Sequence, residues 1–269
     1  MCRPDPELRP RRIRLDLEYD GTEWCGWQVQ NEPKGGPRKG QATIQEVLEE
    51  KLSQILQEEV RVIGSGRTDS GVHAEGQVAA FSTLSDISTK KLQSSLNSLL
   101  PGSIAVHRLR EVHADFHPQH DALKKCYRYR ILNRPQRSAL DRAKVLHVSR
   151  PLDLSAMERG LSYLIGEHDF FAFQGSGRKA ACTVRQMSRA ELRREGEWIV
   201  LEFEANGFLY RMVRSLVGTL LQIGLGKRPA EDMARLLQSG ERCAVGPTAP
   251  AKGLTLAWVR YPGESKTGD

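Results

Sequence analysis

The sequence predicts an α+β fold in which helices cover one face of a mostly antiparallel sheet. Three observations favour this class. Several short runs alternate apolar and polar residues, as half-buried strands do. Other segments place apolar residues at the helical period, two of them behind capping sequences. These strands and helices do not alternate strictly along the chain, which argues against a parallel β/α arrangement.

The N-terminal part begins with a basic, proline-rich stretch over residues 1–11, which we expect to be a mobile tail. Four strands are predicted beyond it, over 13–19, 60–63, 77–82 and 104–112. Two helices are predicted over 44–56 and 88–100. The first helix follows a capping box that begins at Thr43, and Pro101-Gly102 stops the second.

The C-terminal part echoes this pattern. Strands are predicted over 127–132, 145–148, 188–193, 199–205 and 257–261. Helices are predicted from a capping box at Ser155 to Gly166, over 209–223, and after Pro229 as the first helical residue. We therefore predict two related α+β halves, 12–110 and 111–269.

Composition and charge restrict the function. The 269 residues carry a formal net charge of +7, which favours a polyanionic partner, although solubility alone would also account for it. The five cysteines are scattered and show no metal-ligand spacing, so we expect neither a metal site nor structural disulfides. No apolar run is long enough to span a membrane and no secretion signal is recognisable, so we expect a cytoplasmic protein.

A glycine-rich loop over residues 64–74 connects two of the predicted strands and presents Arg67 and Asp69. It has neither the residue order of a P-loop nor that of a dinucleotide-binding turn, so a phosphate cradle is not indicated. Asp69 is a candidate reactive carboxylate, and the alternative is a turn residue that bonds its own backbone.

Two further segments suit RNA. Trp24 and Trp27 flank a turn, where they either stack on bases or close the core. The stretch 31–41 is rich in Pro, Gly and cations, and its Lys34, Arg38 and Lys39 either contact a phosphate backbone or belong to a solvated insertion.

The order G-R-T-D-S-G-V-H-A over 66–74 resembles the catalytic loop of the TruA-type tRNA pseudouridine synthases. Two more segments resemble that family: Y-D-G-T-x-x-x-G-W-Q over 19–28, and the segment 206–218, which contains M-V-R. The similarity extends over about residues 13–261. It departs from the family pattern in the long 31–41 stretch and at Gln119, which stands where the family has an Arg.

The resemblance implies roles for individual residues. Asp69 would be the nucleophile, and Arg67 would flip the uridine out of its stack or grip a phosphate. Tyr127 would stack on the uracil, although Tyr129 shares its face of the predicted strand. Arg214 would pair with Asp69. On residue pattern alone, Glu202 or Glu204 could be its partner instead.

The resemblance also implies that Leu254 lines the pocket. Arg211 lies one turn from Arg214 in a more exposed position of the pattern, where it could touch RNA, and we interpret His73 as structural. The resemblance further implies the pseudouridine-synthase fold with two ferredoxin-like-related halves, a homodimer, and uridines on the 3′ side of the tRNA anticodon stem-loop as substrate. No cofactor or metal is expected. Two other functions are compatible with a basic surface, a non-catalytic tRNA-binding module and a metal-dependent nuclease. The nuclease is disfavoured because the loop offers one carboxylate and no acidic cluster.

Overall fold

The computed structural model describes residues 10–28, 42–177 and 180–264. It divides into two compact units, one formed by the chain up to Ala122 together with the segment from Tyr261 onwards, the other by Leu123–Arg260. The division at Ala122 falls later than the boundary expected near residue 110. The reason is that the strand Ile104–Val112 pairs along its whole length with the first strand.

The first unit contains four strands and two helices in its described part. In chain order they are β1 (Arg11–Tyr19), α1 (Ile44–Leu56), β2 (Ile63–Gly64), β3 (His73–Thr83), α2 (Thr89–Leu99) and β4 (Ile104–Val112). The strand order β4-β1-β3 is antiparallel throughout, and the short β2 pairs with β3.

Alternation along β1 builds the core of this unit. Ile13, Leu15 and Leu17 are fully buried, and the helices add buried apolar residues, among them Leu48 and Leu52 of α1 and Leu92 and Leu96 of α2. Arg14 lies on the opposite face, where it donates to Asp16 at 2.7 Å and to Glu264 at 2.6 Å. The strand predicted over 13–19 and the capping box at Thr43 are both observed.

The second unit contains six strands and three helices in its described part. They are β5 (Lys124–Asn133), β6 (Leu146–Val148), α3 (Leu154–Ser162), β7 (Gly166–Asp169), β8 (Val184–Glu195), β9 (Trp198–Ala205), α4 (Met212–Gly224), α5 (Asp232–Ser239) and β10 (Leu254–Arg260). The strand order β10-β5-β9-β8-β7 is antiparallel, and β6 runs parallel to β5. The α+β class with mostly antiparallel pairing is confirmed.

Four predicted helix limits were wrong. Helix α4 begins at Met212 rather than at Leu209, whose carbonyl accepts the Met212 N–H at 3.1 Å. Helix α3 is capped by Asp153, whose Oδ1 accepts the Ala156 N–H at 2.9 Å, so Ser155 lies inside the helix and the proposed box does not form. This helix ends at Ser162, while Gly166 begins β7. Helix α5 begins at Asp232, three residues after Pro229, whose carbonyl accepts the Asp232 N–H.

Candidate functional site

The loop around Asp69 leaves β2 and enters β3, and its first residues are fastened to β3. Buried Ser65 donates its N–H to the Val78 carbonyl at 2.7 Å and its hydroxyl to the Gln77 side chain at 2.7 Å. The Gln77 amide in turn donates to the Gly66 carbonyl at 3.0 Å. The entry to the loop therefore has its polar groups satisfied within the protein, which restricts its motion.

A second segment, residues 19–28, holds the loop on both sides of Asp69. The Trp27 N–H donates to the Thr68 carbonyl at 3.1 Å, and the Gly71 N–H donates to the Trp24 carbonyl at 3.3 Å. The Ser70 hydroxyl donates to the same Trp24 carbonyl at 3.2 Å. We call this set of hydrogen bonds the clasp. It joins the two N-terminal sequence motifs into one structure.

Two glycines make the clasp sterically possible. Gly26 has φ +84°, and a Cβ on it would lie 2.5 Å from the Thr68 carbonyl oxygen. A Cβ on Gly21 would lie 2.0 Å from the Val72 carbonyl oxygen. Both distances are too short for any side chain, so these glycines permit the close backbone approach that the clasp requires.

Tyr19, at the end of β1, anchors the loop through its hydroxyl group. Its hydroxyl shares a hydrogen bond of 2.8 Å with Thr68 Oγ1 and accepts one from the Gln77 amide at 3.4 Å. Burial raises the pKa of Tyr19 to about 12, against the smaller lowering effect of the hydrogen bonds to Thr68 and Gln77. Sequence reasoning missed this role, although the position of Tyr19 as the first residue of the 19–28 motif was a signal.

Arg67 and Asp69, the candidate reactive residues of the first unit, lie in the middle of the loop. Asp69 is half-buried and Arg67 is exposed. The turn after Asp69 is closed by its backbone carbonyl, which accepts the Val72 N–H at 3.1 Å, so the carboxylate is not needed to form the turn. His73 is buried, and its Nδ1 accepts the Gly21 N–H at 3.0 Å, in agreement with a structural role.

Trp24 and Trp27 both make contacts within the protein. Trp27 is 3% exposed, and its ring covers Gly64 so closely that a Cβ there would lie 2.5 Å from it. The half-buried Trp24 donates its indole N–H to the Ser103 hydroxyl at 3.2 Å. Trp27 thus closes the core, which was one of the two interpretations of these residues.

In the second unit, Tyr127 and Tyr129 lie on the same face of β5 but have different surroundings. Tyr129 is fully buried, its hydroxyl donates to the Pro250 carbonyl at 2.8 Å, and burial raises its pKa. The Tyr127 ring meets Phe208 edge-on, with 5.0 Å between ring centroids. Tyr129 is therefore a core residue whose hydroxyl is committed to the backbone, while Tyr127 is held by ring contact.

Arg214 lies in the first turn of α4 and is fixed by a segment that follows much later in the chain. Its Nε donates to the Ala249 carbonyl at 2.8 Å, and the Ala249 N–H donates to the Arg214 carbonyl at 3.0 Å. One turn later, a Cβ on Gly218 would lie 1.7 Å from the Pro247 carbonyl oxygen. This close packing sets the position of the half-buried Arg214.

The two carboxylates considered as other partners for Arg214 are engaged with different cations. The Glu202 carboxylate forms ion pairs with Arg128 at 2.9 Å and with Arg189 at 3.0 Å. The Glu204 carboxylate forms an ion pair with Lys124 at 2.7 Å. These three ion pairs join residues of β5, β8 and β9, so both carboxylates have cationic partners without a residue of α4.

The remaining candidates lie at the ends of elements. Exposed Arg211 precedes α4 with φ +58°, and its guanidinium lies 5.0 Å from the centre of the Tyr210 ring. Leu254 is buried at the start of β10, opposite Tyr129. The cations Lys34, Arg38 and Lys39 lie outside the described residues.

The described residues contain neither a metal-binding cluster nor a membrane-spanning helix. No group of three or more His, Cys, Asp or Glu residues in this part of the chain is placed to hold a metal ion. Nor does any helix of residues 10–28, 42–177 or 180–264 have the length and apolar character needed to cross a membrane.

Comparisons with known proteins point to one family. A family model described as tRNA pseudouridine synthase matches residues 17–121 and 161–262. The chain is 46% identical over 252 residues to tRNA pseudouridine synthase A of Citrifermentans bemidjiense, covering 93% of this chain and 98% of that protein. It is 44% identical to the protein of that name from Geobacter sp., covering 94% and 99%, and 42% identical to that from Acetivibrio thermocellus, covering 93% and 100%.

The matched residues of the family model contain the clasp, the Asp69 loop and helix α4. Tyr127 falls between the two matched ranges. It lies instead within the wider similarity to the relatives, which covers nearly the whole chain.

The Tyr19 anchor predicts a stability effect. We expect Tyr19→Phe to lower the free energy of unfolding by about 1–2 kcal/mol near neutral pH, because it removes both hydrogen bonds and leaves Thr68 with one partner fewer. Urea denaturation measures this. The exposed Tyr163, changed to Phe, is the control and should shift stability by less than about 0.5 kcal/mol.

The pH dependence of this difference follows from the raised pKa of Tyr19. The stability difference between the wild type and Tyr19→Phe should be complete below pH 10.0, the ordinary pKa of tyrosine. It should be lost as the pH rises towards about 12. A Tyr19→Phe protein as stable as the wild type at neutral pH would show that the hydroxyl does not anchor the loop.

Proposed function

Because this chain belongs to the tRNA pseudouridine synthase family, we propose that it isomerises uridine to pseudouridine in the anticodon stem-loop of tRNA. It is an isomerase that acts on tRNA. The non-catalytic tRNA-binding module finds no support in these comparisons. The observation that carries the proposal is the Asp69 loop, whose family signature is held rigidly by the clasp.

The reaction defines what the site must supply. The bond between the sugar and N1 of the uracil breaks, the base turns, and a new bond forms from the sugar to C5. The base cannot turn while it is stacked, so it must first be flipped out at a cost of a few kcal/mol. Since the product is an isomer of the substrate, the proposed reaction needs no redox cofactor, metal or energy source.

Asp69 is the proposed nucleophile. A carboxylate can attack an electrophilic carbon, as it does in retaining glycosidases. Its position on the crest of a loop with several backbone tethers supports this role, because small displacements of a reacting group reduce rates strongly. Half-burial leaves the carboxylate accessible to a flipped nucleotide.

Arg214 is the proposed cation for the Asp69 carboxylate. An ionised carboxylate in a closed site requires a charged partner, or it takes up a proton instead. Two observations support Arg214 as this partner. Its guanidinium is positioned through Nε by the Ala249 carbonyl, and the two other candidate partners, Glu202 and Glu204, bind other cations.

Tyr127 is proposed to stack on the flipped uracil, and Leu254 to line the same pocket. The edge-on contact with Phe208 supports this role for Tyr127, because it fixes the ring plane, while Tyr129 is committed to the core. The exposed Arg67 is proposed to fill the space that the flipped base leaves.

Binding of the tRNA as a whole is proposed to depend on backbone contacts, since RNA helices are recognised mainly by shape. Arg211 and the cations Lys34, Arg38 and Lys39 are the proposed phosphate contacts. We further propose that the protein is a homodimer in which one tRNA touches both subunits, and that it acts in the cytoplasm.

The nucleophile assignment predicts that Asp69→Asn separates binding from chemistry. We expect the rate of pseudouridine formation to fall below about a thousandth of the wild-type rate, because the amide cannot act as the nucleophile. The Kd for tRNA should stay within about threefold. Site-by-site mapping of pseudouridine in unmodified tRNA, with filter binding, measures both.

The matched control for this variant is Asp86→Asn, which changes an exposed carboxylate in the same way. It should leave both quantities unchanged. Substantial turnover by Asp69→Asn would rule out Asp69 as the nucleophile while leaving the family assignment intact.

The basic stretch predicts a salt effect. Replacing Lys34, Arg38 and Lys39 with Gln should weaken tRNA binding and reduce the slope of log Kd against log salt by about 2, since each lost phosphate contact removes somewhat less than one unit. A control with equal charge change replaces the exposed Arg61, Lys90 and Lys91. If both triple variants have the same slope, the stretch does not contact the phosphate backbone.

A further inference from the structure

A tight turn follows β10 and belongs to the first unit. Residues 261–264 read Tyr-Pro-Gly-Glu, and the Glu264 N–H donates to the Tyr261 carbonyl at 3.3 Å. Proline suits the second position of a type II turn and glycine the third, where Gly263 has φ +77°. We call residues 261–264 the Pro-Gly turn. Its sequence determines its shape, and the side chains of its first and last residues contact the rest of the unit.

The Glu264 carboxylate binds the turn to the sheet of the first unit. Its Oε1 accepts hydrogen bonds from Arg14 and from Arg110, both at 2.6 Å, and its Oε2 accepts the Tyr261 N–H at 3.2 Å. Burial acts to raise the pKa of Glu264, but the hydrogen bonds from Arg110 and Arg14 outweigh it and lower the pKa. The side chain of Arg14 is only 7% exposed, and it also donates to Asp16 at 2.7 Å. A buried cation requires such partners, so the carboxylate of the turn is part of what keeps Arg14 in place.

Tyr261 connects the turn to the entry of the Asp69 loop. It is 3% exposed, and the Arg14 guanidinium lies 4.4 Å from the centre of its ring. Its hydroxyl donates to the Pro118 carbonyl at 2.6 Å and also interacts with the Ser65 side chain. Burial raises the pKa of Tyr261, against the lowering effect of Arg14, so the hydroxyl keeps its proton at neutral pH. The ring is thus fixed by a cation at its face and by the backbone at its hydroxyl.

Ser65, which Tyr261 reaches, is the residue that fastens the loop to β3. It is fully buried, and it donates its N–H to the Val78 carbonyl and its hydroxyl to the Gln77 side chain. Asp16, the other partner of Arg14, lies opposite Val78 in the pairing of β1 with β3. The ion pairs of the turn and the root of the loop therefore meet on the same part of the sheet. Because protein interiors are closely packed, a displacement of the Tyr261 hydroxyl changes the packing around Ser65.

We propose that the Pro-Gly turn positions the Asp69 loop for the proposed reaction. Tyr261 and Glu264 are positioning residues that act through Ser65 rather than by touching the substrate. A small displacement of a reacting group lowers the rate strongly, so a contact at the root of the loop affects the carboxylate four residues further on. The inference rests on the proposed function, and it assigns part of the control over Asp69 to a segment outside the clasp.

The alternative is that the turn only adds stability to the first unit. The two roles differ in where a variant has its effect. A general loss of stability exposes every segment of the unit to exchange with solvent, including helix α2 over Thr89–Leu99. A loss of positioning loosens the loop over 64–74 and leaves α2 as protected as before, because local opening needs less free energy than unfolding of the whole unit.

The first test variant is Tyr261→Phe, which removes the hydroxyl and keeps the ring. Hydrogen–deuterium exchange of peptides that cover residues 64–74 should become about fivefold faster, while exchange in α2 stays unchanged. The single-turnover rate of pseudouridine formation at saturating tRNA should fall about tenfold, with the Kd for tRNA within about threefold of the wild type. The control is Tyr163→Phe, which removes the hydroxyl of an exposed tyrosine and should change none of these quantities.

The second variant, Glu264→Gln, tests the ion pairs of the turn. It removes the charge that Arg14 and Arg110 share, so we expect faster loop exchange and a slower single-turnover rate, as in Tyr261→Phe. Glu264→Asp keeps the charge and should restore part of the rate. The matched control is Glu111→Gln, which loses an ion pair of 2.9 Å with Arg11 on the same sheet and should leave loop exchange and rate unchanged.

Faster exchange confined to the loop, together with slower pseudouridine formation, is the result that supports the inference. Equal acceleration in the loop and in α2 would show that the turn only stabilises the unit. Unchanged loop exchange in Tyr261→Phe and Glu264→Gln, or faster loop exchange with a wild-type rate, would overturn the positioning role. A wild type that forms no pseudouridine in tRNA would overturn the proposed function, and the exchange measurement would still decide whether the turn holds the loop.

Discussion

The hydrogen bonds of the clasp are the constraint on which the rest of the site depends. Asp69 lies between Thr68, whose carbonyl accepts the Trp27 N–H, and Gly71, whose N–H donates to the Trp24 carbonyl. These are backbone groups, so the carboxylate takes part in none of them. The loop can therefore be fixed through its backbone, without these bonds using the side chain that we propose to react.

Arg214, in the second unit, is likewise held by backbone groups of another segment. Its position is set by reciprocal hydrogen bonds with Ala249 and by the close approach of Gly218 to the Pro247 carbonyl, not by its own helix alone. In both units a candidate site residue is held by a segment distant in sequence, and glycines allow the close backbone approach there.

The sequence predicted those features that local physics determines. The α+β class, β1 and the capping box at Thr43 follow from periodicity and capping chemistry, and all are observed. The start of α3 was misplaced because Asp153 competes with Ser155 as a cap. The clasp and the Tyr19 anchor could not be predicted from pattern alone, because they join residues more than forty positions apart, and periodicity and capping report only on neighbours in the sequence. The family resemblance supplied the candidate reactive residues but not the contacts that hold them.

The most direct test of the clasp is the single-turnover rate of pseudouridine formation by Gly26→Ala at saturating tRNA. Alanine at φ +84° and 2.5 Å from the Thr68 oxygen must displace the loop, so we expect the rate to fall about 100-fold with the Kd for tRNA nearly unchanged. Gly177→Ala, which also has a positive φ but meets nothing within 4 Å, is the control. A folded Gly26→Ala protein that reacts as fast as the wild type would contradict the claim that the clasp positions Asp69.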